Sequence, residues 1–67
     1  MTDTILISLD RVRDRQYRLV IGDLLYGDFM SLARGKELGE HTFGVLTDLQ
    51  EAGIIPAYFK IKWENNT

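Results

Sequence analysis

Glu37, Glu40 and His41 are the densest gathering of groups in this chain that could do proton or metal chemistry. One helical turn would bring Glu37 under His41. Gly39 interrupts the segment, however, and a catalytic metal normally keeps three protein ligands and one open position. His41 is the sole histidine and there is no cysteine, so disulfides, thiolate zinc sites and His-rich metal sites are excluded. An exposed polar turn, with acids favouring the N-terminus of a following helix, accounts for the same residues. Gly22 and Gly27 have the spacing of a phosphate-binding loop, but Asp28 and Phe29 stand where that loop needs Lys and Ser or Thr. Ser8 and Ser31 have no histidine near them in sequence. No catalytic residue, metal or cofactor is assigned.

The elements that would position these groups follow from periodicity. Thr4 to Asp10 alternates, with Ile5, Ile7 and Leu9 on one side. Gln16 to Ile21 repeats the pattern with Tyr17, Leu19 and Ile21. Both predict half-buried strands. Arg11 to Arg15 lies between them without a glycine. A longer hairpin loop, or strands extended into a ribbon, fits it better than a tight primed turn. Asp23 is a good N-cap, and Leu25, Phe29, Leu32 and Ala33 recur at helical spacing, which predicts a first helix ending at Gly35. Residues 36–39 read as a connector. A second helix is expected from about Glu40 to Ala52, stopped by Gly53 and Pro56. Phe59, Ile61 and Trp63 then alternate with Tyr58, Lys60 and Lys62 in a third strand, and residues 64–67 read as a frayed tail.

The expectation is one small α+β domain over residues 1–67, in β-β-α-α-β order. It has a three-stranded, mainly antiparallel sheet, the third strand running antiparallel to the second, with a helical hairpin packed on one face. The expected core is Ile5, Ile7, Leu9, Tyr17, Leu19, Ile21, Leu25, Phe29, Leu32, Phe43, Leu46, Leu49, Phe59, Ile61 and Trp63. Sixty-seven residues leave such a domain marginal without staples, which points to self-association or docking. With 45% apolar and 27% charged residues the chain is composed to fold. No long apolar run or signal peptide is read, so a cytoplasmic setting is expected.

Charge is distributed by region. Arg11, Arg13, Arg15 and Arg18 lie in the first hairpin, and Lys60 and Lys62 in the last strand. The middle of the chain carries Asp23, Asp28, Glu37, Glu40, Asp48 and Glu51. A second helix with no Lys or Arg argues against a DNA-reading helix-turn-helix. The outer sheet face is expected to present Leu6, Ser8, Gln16, Arg18, Val20, Tyr58, Lys60 and Lys62.

The function expected is a small non-enzymatic protein–protein interaction module: a regulator, inhibitor or assembly factor that also pairs with itself as a homodimer. Arg11, Arg13, Arg15, Arg18, Lys60 and Lys62 would steer the partner and Tyr58 would anchor it. The alternative is single-stranded nucleic-acid binding by the same basic face, with Tyr58 as a stacking platform. The third is a small oligomeric enzyme built around His41 with acids from Asp23, Asp28 or a neighbouring subunit. The stretch VIGDLLYGDF, Val20 to Phe29, resembles the helix entries of some small phage and prophage proteins, including tail-assembly chaperones. That resemblance implies an accessory protein of a bacterium or its mobile elements and assigns no site residue.

Overall fold

Two strands, β1 (Thr4–Arg13) and β2 (Gln16–Ile21), form where the alternation predicts them. The computed structural model describes residues 3–67 and, for Phe29, the backbone but not the side chain. β1 runs on through Arg13, so the strands do extend as a ribbon. The connection is nevertheless a tight two-residue turn, Asp14–Arg15, which the lack of glycine argues against; Arg15 takes the left-handed region at φ 61° in glycine's place. A side chain there costs on the order of 1 kcal/mol. The Arg11–Asp14 ion pair at 2.9 Å spans the turn, but both partners are exposed, so it contributes little.

The segment expected as a first helix is instead a strand, β3 (Leu24–Met30). Gly22 and Asp23 make a two-residue turn, Gly22 holding φ 59° at its first position, the pattern of a hairpin that returns antiparallel. Asp23 is a turn residue and no helix cap. The residues compared above with phage helix entries are therefore a β-hairpin. Leu25, expected in the core, is 57% exposed on β3. The Phe29 side chain lies outside the description.

One helix, α1 (Leu32–Glu51), replaces the expected pair. Its N-cap is Ser31, whose hydroxyl accepts from the Arg34 amide at 3.2 Å. Gly35 and Gly39, read above as a stop and part of a connector, lie inside it and are buried. Each costs about 1 kcal/mol relative to alanine in a helix. They are tolerated because the helix backbone comes close to the sheet there. A Cβ on Gly35 would stand 2.5 Å from Leu9 Cδ1, and one on Gly39 would overlap the Trp63 ring. Their four-residue spacing puts both on the same helix face. The C-terminus ends as expected at Gly53, at φ 81°. The Gly53 amide donates to the Gln50 carbonyl and the Ile54 amide to the Leu49 carbonyl, the Schellman arrangement. Ile54, just beyond, is 69% exposed. The Gln50 side chain donates to the Pro56 and Phe59 carbonyls, tying the following loop to the helix.

β4 (Lys60–Asn66) starts with the Lys60 amide donating to the Asp3 carbonyl at 2.8 Å and pairs parallel to β1. Strand pairing continues through Glu64, Asn65 and Asn66, where fraying is expected from the sequence. The sheet is thus four-stranded and mixed, in the order β3-β2-β1-β4. β4 has the expected direction relative to β2 but lies on the far side of β1. The α+β class stands; the three-strand, two-helix version of it does not.

The helix lies on one face only. Register puts Ile5, Ile7 and Leu9 beside Ile61, Trp63, Leu19 and Ile21 on that face. Ile7, Leu9 and Leu19 are fully buried. Tyr17, Ile21, Met30, Leu32, Leu38, Leu46, Ile61 and Trp63 pack against them. Met30 and Leu38 are additions to the expected core. Phe43, expected there, is 36% exposed. No helix of the described residues is long and apolar enough to cross a membrane.

Candidate interaction surface

The second face of the sheet carries no helix. Alternation and register place four cross-strand rows on it. Lys60 lies beside Thr4 and Lys62 beside Leu6. Glu64, Ser8, Val20 and Leu25 form the third row. Asn66, Asp10, Arg18 and Asp28 form the fourth, the last two joined by an ion pair. Leu6, Ser8, Val20, Asp10, Arg18 and Asp28 are half-buried by their neighbours, while Lys60, Lys62 and Glu64 stand exposed.

Polar groups knit the fourth row together. Arg18 Nη2 donates to Asp28 Oδ2 at 3.3 Å, Asn66 Nδ2 donates to Asp10 Oδ1 at 2.9 Å, and Ser8 Oγ donates to Asp10 Oδ2 at 3.3 Å. Among the described residues, Arg18 Nε and Gln16 Oε1 are buried without a hydrogen-bond partner. A buried polar group left so costs about 1–3 kcal/mol.

The seven residues expected to bind a partner do not form one patch. Lys60, Lys62 and Arg18 share the open face. Arg11 is opposite Tyr17, hence on the helix side by register, and pairs with Asp14. Arg13 and Arg15 sit at the tip of the first hairpin. From Leu6, beside Lys62, to Arg13 is about seven residues of strand, or ~23 Å at ~3.3 Å per residue. Tyr58 lies outside β4, in the preceding turn. It is 69% exposed, with its ring stacked on Phe59 at a centroid distance of 5.0 Å. Tyr58 is therefore not a member of the strand rows of the outer face, where it was expected. Alternation along the first strand already puts Asp10 on this face; sequence reasoning missed Glu64, Leu25 and Asp28 as its members. The signal for Glu64 is present, because the alternation of Lys60 and Lys62 continues to it.

The acid and histidine groups do not assemble within one chain. Glu37, Glu40 and His41 are exposed on α1, and Glu37 pairs with Arg34 at 3.3 Å. Asp28 is on the opposite face of the sheet, paired with Arg18, and Asp23 is in the β2–β3 turn. Among the described residues no three His, Asp or Glu side chains converge as metal ligands would.

Comparison of the chain with protein-family models, known proteins and solved structures returns no match.

Proposed function

We propose that the chain is a small, non-enzymatic protein–protein interaction module that docks its partner on the open face of the sheet, as a cytoplasmic regulator, inhibitor or assembly factor. The observation that carries this reading is the mixed character of that face. Leu6, Val20 and Leu25 offer apolar surface between cations (Lys60, Lys62, Arg18) and acids (Asp10, Glu64, Asp28). Apolar surface framed by charges of both signs suits a protein partner, with the charges setting register and encounter rate.

Single-stranded nucleic acid is the second reading. Lys60 and Lys62 favour it, since cations aligned on one strand can follow a phosphate backbone. Against it, the acids on the face match the cations, and Tyr58 stands off the strand. The discriminating experiment is anisotropy of labelled random-sequence RNA and single-stranded DNA at about 50 and 200 mM salt. The interaction-module reading expects no saturable binding at either salt. Saturable binding at the lower salt that collapses at the higher one, and is lost in K60E/K62E, reverses the order of the two readings. A positive check is affinity capture with the wild type beside K60E/K62E and Leu6→Asp. A cognate protein retained by the wild type and lost by both variants is the expected result.

A further inference from the structure

We infer that the open face is also an interface between two copies of this chain. The copies pack sheet to sheet about a two-fold axis that runs across the strands, so that Lys62 of each meets Glu64 of the other. The inference rests on the interaction-module reading and names one occupant for its face.

Three observations carry it. The first is the order of charge along the strands. At the Thr4 end the exposed charges are Lys60 and Lys62; at the Asp10 end the acids are Glu64 and Asp10. Arg18 and Asp28 neutralise each other. A second copy with its strands reversed sets basic rows over acidic rows, whereas a copy with its strands parallel sets like over like. The face is therefore complementary to itself in one orientation. Placing the axis between the Lys62–Leu6 row and the Glu64–Ser8 row brings Lys62 over the other copy's Glu64, with Leu6 near the centre.

The second is that Lys62 and Glu64 have no ion-pair partner of their own among the described residues. Nothing within the chain has to break for them to pair across copies.

The third is the topology. α1 covers one face of this mixed sheet, and Leu6, Val20 and Leu25 lie on the face without a helix. A second sheet about 10 Å away would cover the other and give a helix–sheet–sheet–helix stack. Four strands at ~4.8 Å and about seven residues at ~3.3 Å make a face of roughly 19 × 23 Å, near 440 Å² before side-chain relief. That is below the ~800 Å² per partner of a standard interface, so the dimer belongs among weak, concentration-dependent ones.

The test is sedimentation equilibrium at about 50 mM salt on the wild type, K62E, E64K, the double variant K62E/E64K, and an equimolar mixture of the two single variants, with circular dichroism as the folding check. The wild type should pass from monomer to dimer with rising concentration. Each single reversal sets like charges against each other twice across the two-fold and should weaken dimerisation about tenfold or more. The double variant should regain wild-type dimerisation, because exchanging the two charges restores an opposite-sign pair at each contact across the axis. The mixture should form heterodimers tighter than either single variant forms alone. A wild type that stays monomeric up to about 1 mM, single variants that dimerise like the wild type, or a double variant and mixture that recover nothing, would each overturn the inference. A monomeric wild type that still captures another protein through Leu6 and Lys62 would overturn self-pairing while leaving the interaction-module reading in place.

Discussion

Replacing Gly39 by valine should destabilise the domain by about 2–3 kcal/mol, while replacing Gly44 by alanine should stabilise it by about 0.5–1 kcal/mol. Both glycines lie inside α1, and helix propensity alone favours either substitution. The sheet decides the sign. A Cβ on Gly44 meets nothing within 4 Å, so the gain in propensity is kept. A Cβ on Gly39 runs into three atoms of the Trp63 ring. That ring is rigid, sits opposite Ile7 on β1 and packs against the buried core, so it cannot yield by changing one torsion. Overpacking of this kind costs about 1–3 kcal/mol and occasionally more, and valine adds two methyl groups beyond the clashing Cβ. Gly39→Ala should fall between, losing about 1 kcal/mol net. Urea unfolding read at constant slope measures all three. A Gly39→Ala protein as stable as Gly44→Ala would show that helix and sheet do not meet there.

The second large effect is expected at Leu9, which is fully buried beside Leu19 and under Gly35. Leu9→Ala removes a side chain from a core in which only three of the described residues are fully enclosed. The usual cost of such a truncation is about 2–5 kcal/mol. A domain of this size has about 3–10 kcal/mol in total, so the variant should be partly or wholly unfolded at 25 °C. Loss of the cooperative thermal transition, or a lowering of its midpoint by more than ~15 °C, is the expected reading. The small Cβ contact distance at Gly35 sharpens this into a double-variant test. Gly35→Ala should be markedly less damaging when Leu9 is already alanine, because the Leu9 methyl it would strike is gone.

Much of this architecture is legible in residue types, and the failures have physical causes. Period-two alternation locates β1, β2 and β4 because one face of each is buried and the other is not. It also puts Leu6, Ser8, Arg18, Val20, Lys60 and Lys62 on one surface. Gly53 and Pro56 mark the end of α1 because each acts through local backbone geometry, whatever the tertiary context. β3 passes for a helix because Leu25, Phe29, Leu32 and Ala33 mimic a helical stripe across what is really a strand, a cap and a first turn. Gly35 and Gly39 look like punctuation. Locally they are, but packing against Leu9 and Trp63 outweighs their propensity, and no single-chain pattern displays that contact. Charge and residue type group Arg11, Arg13, Arg15 and Tyr58 with the lysines. The ribbon carries the arginines to the far end of the sheet, and a turn carries Tyr58 off it.

The pairing of β4 with β1 also sets an order in time. β1, β2 and β3 are joined by two-residue turns, and α1 makes its own hydrogen bonds, so these contacts are close along the chain. Thr4 meets Lys60 only after everything between them has been spanned. Closing so long a loop costs entropy before Trp63 and Ile61 return any burial. β4 should therefore be the last strand to join and the first to leave. Native-state hydrogen exchange should show the Lys60–Asn66 amides opening at lower free energy than those of β2; equal protection would mean that the sheet opens as one unit. When β4 departs, it takes Lys60, Lys62 and Glu64 with it and uncovers the edge of β1, so the surface proposed to bind exists only while the slowest contact of the fold is closed.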